Sequence, residues 1–215
     1  MKTGVLVVGL GVVVVLALQA VPSVVAQDKK GGAPPAGQQP SSDDMAKMME
    51  MMTQLAAPGA PHKALEGLVG EWTAVGKYRM DPAQPWADTK GTAHNETALG
   101  GRFVLLHYKG EGMMGMPGEF EGMGSIGYDN SKKKYVSAWM DSMGTMIMTG
   151  EGTADGGGKT FTLKSEFVDP MSNQPSWMKT VYKIEGPDKY VLSLLAPDMS
   201  GKEYEMFNLV HTRKK

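Results

Sequence analysis

The stretch that decides the fold is LVGEWTAVGKY, Leu68 to Tyr78. Read as an extended strand, it places Trp72, Ala74, Gly76 and Tyr78 on one face and Glu71, Thr73, Val75 and Lys77 on the other. A period of two with one apolar face is the pattern of a half-buried β-strand. Gly70 lets the chain turn sharply into that strand. Trp72, two residues on, and Tyr78 point along the same interior face.

The same alternation recurs from Gly70 onward. Short runs of alternating apolar and polar residues are separated by Gly, Asp, Asn and Pro, and they predict strands near 70–80, 89–98, 102–111, 119–128, 133–141, 145–154, 159–168, 176–185, 189–196 and 203–212. YDNSKKKY, TADGGGKT, IEGPDKY and APDMSGKEY supply turn chemistry between them. No helical pattern intervenes that would serve a parallel crossover. About ten strands joined by hairpins predict an all-β, antiparallel up-and-down barrel, a closure that removes every sheet edge; a two-sheet sandwich is the alternative. In RFVLLHY both faces are apolar. Phe103, Leu105 and His107 are read as facing in, and the opposite face then needs a cover, for which a methionine-rich helix is the candidate.

That helix belongs to an N-terminal region unlike the rest. Residues 1–26 read as a signal peptide, with the apolar run Gly4–Leu18 and small residues Val24 and Ala26 at the −3 and −1 positions of a cleavage site before Gln27. An uncleaved membrane anchor is the alternative, since roughly 20 apolar residues span a bilayer. Residues 27–44, rich in Gly, Pro, Gln and Ser, read as a disordered linker. Residues 45–69 read as a Met-rich helical segment, and residues 70–215 as the barrel domain. The expected location is outside the cytoplasm, periplasmic or secreted. There is no cysteine, so disulfides, thiolate metal sites and lipobox attachment are excluded. Beyond residue 26, 21 basic side chains face 23 acidic ones, which leaves no footprint for nucleic acid. Membrane contact is expected only through an uncleaved N-terminal segment.

HKALEGLVGEW, LGGRFVL, GYDNSKKKYVSAWMDSMGT and GEGTADGGGKTFTL, followed by a closing basic strand, resemble the DUF1579 family of uncharacterised, mostly bacterial proteins. Gly70-x-Trp72, Gly127-Tyr128-Asp129 and Trp139, in that order, carry the resemblance, which runs from about His62 to Lys215. It implies a calycin-like barrel, similar to lipocalins, fatty-acid-binding proteins and nitrobindins, and it brings no catalytic residue. Lipocalin-like barrels cover the first-strand indole with a basic residue from the last strand. Arg213 is the candidate here, and a guanidinium over an indole gains roughly 0.5–2 kcal/mol. Nitrobindin-like barrels hold haem on a histidine, which makes His107 or His211 a candidate ligand; an ordinary, satisfied barrel histidine is the other reading.

The residues themselves name no chemistry. His62, His94, His107 and His211 show no metal-ligand spacing, although His94 and His107 can meet across neighbouring strands. There is no nucleophile elbow, P-loop or His-Glu-x-x-His, and no carboxylate pair is set up as acid and base. Methionine is the compositional outlier, 19 of 215 residues. Met45, Met48, Met49 and Met52 fall on one helical face and offer soft sulfurs to Cu(I) or Ag(I); filling apolar surface is the alternative. Met143, Met146 and Met148 are read as strand residues packing or lining a pocket, and the glycine-rich run Gly110–Gly124 as a lid at the barrel mouth. The expected function is binding of a small hydrophobic ligand inside an exported barrel, with Tyr78, Phe103, Leu105, His107, Met123, Trp139, Met146 and Trp177 as lining. Alternatives are Cu(I) or Ag(I) handling by the helix methionines, and an interaction module that docks through the same helix.

Overall fold

The structure, a computed structural model, describes residues 41–112, 118–170 and 172–215. The signal segment, the linker up to residue 40 and the middle of the Met-Gly run lie outside the described residues. Ten strands form a closed barrel: β1 Gly70–Tyr78, β2 Ala87–Ala98, β3 Phe103–Glu111, β4 Glu119–Asp129, β5 Lys134–Asp141, β6 Met148–Ala154, β7 Thr160–Val168, β8 Pro175–Gly186, β9 Lys189–Pro197 and β10 Glu203–Arg213. Each pairs antiparallel with its sequence neighbours, and β1 closes the ring on β10 with Trp72 opposite Arg213 and Tyr78 opposite Phe207. The expected all-β, calycin-like up-and-down barrel is the observed one.

The hairpins explain the topology locally. The Asp129 carboxylate accepts from the Ser131 and Lys132 amides, and Asp198 does the same for Ser200 and Lys202. These side-chain-closed turns hold β4 to β5 and β9 to β10 without a long connection. One expected boundary moves. β6 begins at Met148, so Met143 and Met146 lie in the β5–β6 connection rather than in a strand. Gly110 and Glu111 belong to β3 and Glu119–Gly124 to β4, so both ends of the Gly110–Gly124 run are strand, and the expected lid falls on its middle, outside the described residues. Phe120, buried inside the barrel, extends β4 toward the mouth.

Before the barrel lie helix α1 (Ser42–Ala56), helix α2 (Ala60–Ala64) and a 3-10 turn, Leu65–Leu68. α1 does not cover the barrel wall: among the described residues it buries no side chain, and its methionines are exposed. What holds it is its C-terminal end. Arg102 donates to the Ala56 carbonyl (2.9 Å), and Asn130 to those of Leu55 (2.8 Å) and Ala57 (2.9 Å). These are the carbonyls a helix leaves without internal partners. α2 and the 3-10 turn instead enter the barrel end. Leu65 and Leu68 are fully buried and join Trp72, Ile126, Phe161 and Leu163 in the core cluster.

Candidate ligand-binding cavity

One end of the barrel is a floor. Trp72 is 0% exposed, and its indole N–H donates to the Leu68 carbonyl at 3.0 Å. Tyr190 meets the indole edge-on at 4.8 Å, and the Arg213 guanidinium lies 4.2 Å from the ring centroid. Arg213 is held there by bonds to the carbonyls of Val69 (2.9 Å) and Pro187 (2.9 and 2.7 Å) and by Asp188. Gly70 makes this approach possible. Its φ is +136°, and a Cβ there would sit 2.0 Å from an Arg213 nitrogen. Only glycine combines that backbone with that empty space.

Above the floor the barrel encloses a cavity of about 340 Å³, within the range of small-molecule sites. Strand parity decides what faces it. Lys109 and Glu111 in β3 are exposed, so the alternate residues Val104, Leu106 and Tyr108 turn inward. In β5, Trp139 turns inward and its N–H donates to Asp141 at 3.1 Å. The indole lies over two glycines of β4: a Cβ on Gly122 would come 2.2 Å from Cζ2, and one on Gly124 2.9 Å from Cε3. Among the described residues, five methionines border the cavity: Met80, Met143, Met148, Met178 and Met206. Flexible thioethers give the lining an adaptable shape.

The base of the cavity is polar and uncharged. Asn95, 3% exposed, donates to the Leu68 carbonyl (2.8 Å) and the Tyr190 hydroxyl (3.3 Å). His211, 2% exposed, stacks flat on Tyr190 at 4.1 Å. Its Nδ1 has no hydrogen-bond partner among the described residues. Burial pushes its pKa down to about 4, with a smaller upward pull from the Leu209 backbone, so the ring is neutral at physiological pH. Burial also raises the Tyr190 and Tyr182 hydroxyls well above the usual phenol range.

Of the eight lining residues expected from sequence, Trp139 is the one whose side chain faces the cavity. Tyr78 points inward but stacks on Phe207 (5.4 Å), outside the cavity wall. Phe103, Leu105 and His107 share the parity of Lys109 and Glu111 and lie on the outer face. His107 sits in the cavity wall with its imidazole outside, 6.2 Å from that of His94, which pairs with Glu71. Met123, 47% exposed, has the parity of Glu119 and Glu121. Trp177 is outside with Lys164 and Lys179 over its ring at 5.7 and 5.4 Å. Met146 is 44% exposed in the β5–β6 connection. Met45, Met48, Met49 and Met52 are all exposed along α1. Among the described residues, no three His, Asp or Glu side chains converge to hold a metal ion.

The two candidate haem ligands are placed differently. His107 turns away from the interior. His211 borders the cavity, lying face to face with Tyr190 with its Nδ1 buried. His62, buried under the floor, accepts from the Gly59 amide at 3.0 Å and is structural. Sequence reading missed Asn95 and Tyr190 as cavity residues. Their signal was weak, because an asparagine in a strand reads as a solvent-facing residue.

A family model described as "Protein of unknown function (DUF1579)" matches residues 57–213. No curated protein matches the chain. Among solved structures, the crystal structure of Rv2717c from M. tuberculosis superposes with a TM-score of 0.53 at 15% identity, covering 74% of this chain and 100% of that one. The S-type phycobiliprotein lyase CPES from Guillardia theta superposes with a TM-score of 0.50 at 13% identity, covering 74% and 99%. At these identities the likeness is one of fold.

Proposed function

The chain belongs to the DUF1579 family, and because that description assigns no activity, we propose its role from the cavity: the protein binds a small hydrophobic molecule inside the barrel. The observation that carries this reading is the enclosed space of about 340 Å³, walled by methionine, leucine and aromatic side chains with a few uncharged polar groups at its base. A solidly packed barrel core has no such space. The apolar run Gly4–Leu18 and the small residues before Gln27 support an exported setting, periplasmic or secreted, for this binding.

The test is titration with N-phenyl-1-naphthylamine, a neutral probe that brightens in apolar surroundings. Saturable one-to-one binding is expected. Met178→Trp adds volume to the lining and should weaken that binding by roughly tenfold or more, with the circular dichroism spectrum unchanged. Absence of saturable binding, or equal affinity in the folded variant, overturns the reading.

A further inference from the structure

We infer that the cavity selects uncharged ligands, hydrophobic molecules ending in a hydroxyl or carbonyl group, over carboxylates of the same size. This rests on the binding reading above and adds the chemical class of the ligand.

The first support is the charge inventory of the wall. Among the described residues, no lysine or arginine lines the cavity. Positions 113–117 are Met-Met-Gly-Met-Pro and carry no ionisable side chain. Arg79, beside the lining residue Met80, is already spent: it donates to the carbonyls of Glu205 (3.1 Å) and Pro82 (3.1 Å) and lies over Trp86 at 4.4 Å. Lys164 and Lys179 sit on the outer face over Trp177. A carboxylate entering this space would leave water and meet no counter-charge, an arrangement proteins avoid because charge burial needs a partner.

The second support is Asp141, the one carboxylic acid in the wall among the described residues. Asp141 takes hydrogen bonds from the Trp139 indole (3.1 Å) and the Met143 amide (3.0 Å), both donors to a carboxylate. Its charge opposes a second carboxylate nearby.

The third support is the base. Asn95 commits its amide hydrogens to Leu68 and Tyr190, and the Tyr190 hydroxyl that accepts there keeps its own proton to donate. His211 stacks on Tyr190, and its buried ring is neutral, so it supplies no positive charge. A hydroxyl or carbonyl group can exchange hydrogen bonds with such groups without a charge to compensate.

The experiment competes decan-1-ol and decanoate against N-phenyl-1-naphthylamine on the full chain at about pH 7.5, where the acid is ionised. Decanol should displace the probe at roughly tenfold or more lower concentration than decanoate. Decanoate displacing as well as decanol, or better, overturns the inference while leaving the barrel a binding protein. Failure of the probe itself to bind removes the broader reading and the inference together. As a second arm, Met178→Arg places a cation in the wall and should move the preference toward decanoate. A folded variant that binds the probe and keeps the original ratio also counts against the inference.

Discussion

The two ends of the barrel are built on opposite economies. At the floor the polar groups are committed: the Trp72 indole to Leu68, Asn95 to Leu68 and Tyr190, and Arg213 to Val69, Pro187 and Asp188. Toward the mouth, Met80 and Met143 are about two-fifths exposed and border the cavity with thioethers. One end is specified by directional bonds, which allow a single arrangement. The other is specified by soft contacts, which tolerate several. Stability is therefore concentrated at the floor and adaptability toward the mouth, and substitutions at the two ends should separate in their effects.

The largest effect should come from the floor. Trp72→Ala removes a fully buried indole together with its stacking partners and should cost about 3–5 kcal/mol in urea unfolding. A loss under about 1 kcal/mol would break the contrast between the ends. Next comes His211, which sits where floor meets cavity. Its pKa is depressed in the folded state, from 6.5 to about 4. Above pH 6.5 the ring is neutral folded and unfolded, and it gives stability no pH dependence. As pH falls from 6.5 to 4 the unfolded chain takes up a proton that the folded chain refuses. Stability should drop across that window by roughly 3 kcal/mol, and His211→Phe should flatten that part of the curve. An unchanged slope in the variant would show that other groups control acid unfolding. The smallest effect should be on α1. Changing Met45, Met48, Met49 and Met52 to Gln touches only exposed side chains and should move stability by no more than about 0.5 kcal/mol. A larger thermal shift would mean that the helix packs on something when the chain is in solution.

The barrel was legible because period-two alternation and turn residues are local signals, and all ten strands follow from them. The cavity was less legible because one decision, which parity faces in, governs every side chain in a strand. Phe103, Leu105 and His107 were assigned inward from an apolar run that offers both faces. Lys109 and Glu111, further along the same strand, have the same parity and lie outside. Glu119 and Glu121 would have corrected Met123 in the same way, and Lys179 and Lys183 would have corrected Trp177. Glycines were a second unread signal, since Gly122 and Gly124 mark the side on which Trp139 lies. What no local pattern carries is the meeting of Asn95, Tyr190 and His211. Tyr190 and His211 face each other across the β9–β10 hairpin, and ring closure brings Asn95 of β2 to them.

That closure also sets an order of events during synthesis. Trp72 faces Arg213 across the seam between the first strand and the last. Until β10 has been made, β1 and β9 each present an unpaired edge, and the indole has no guanidinium above it. The nine earlier strands can pair hairpin by hairpin as they appear, since each contact is local. The seam is the one long-range contact in the ring, and loop-closure entropy falls on it. A growing chain thus carries an open edge for longest at β1, which waits through the synthesis of every other strand before it meets β10.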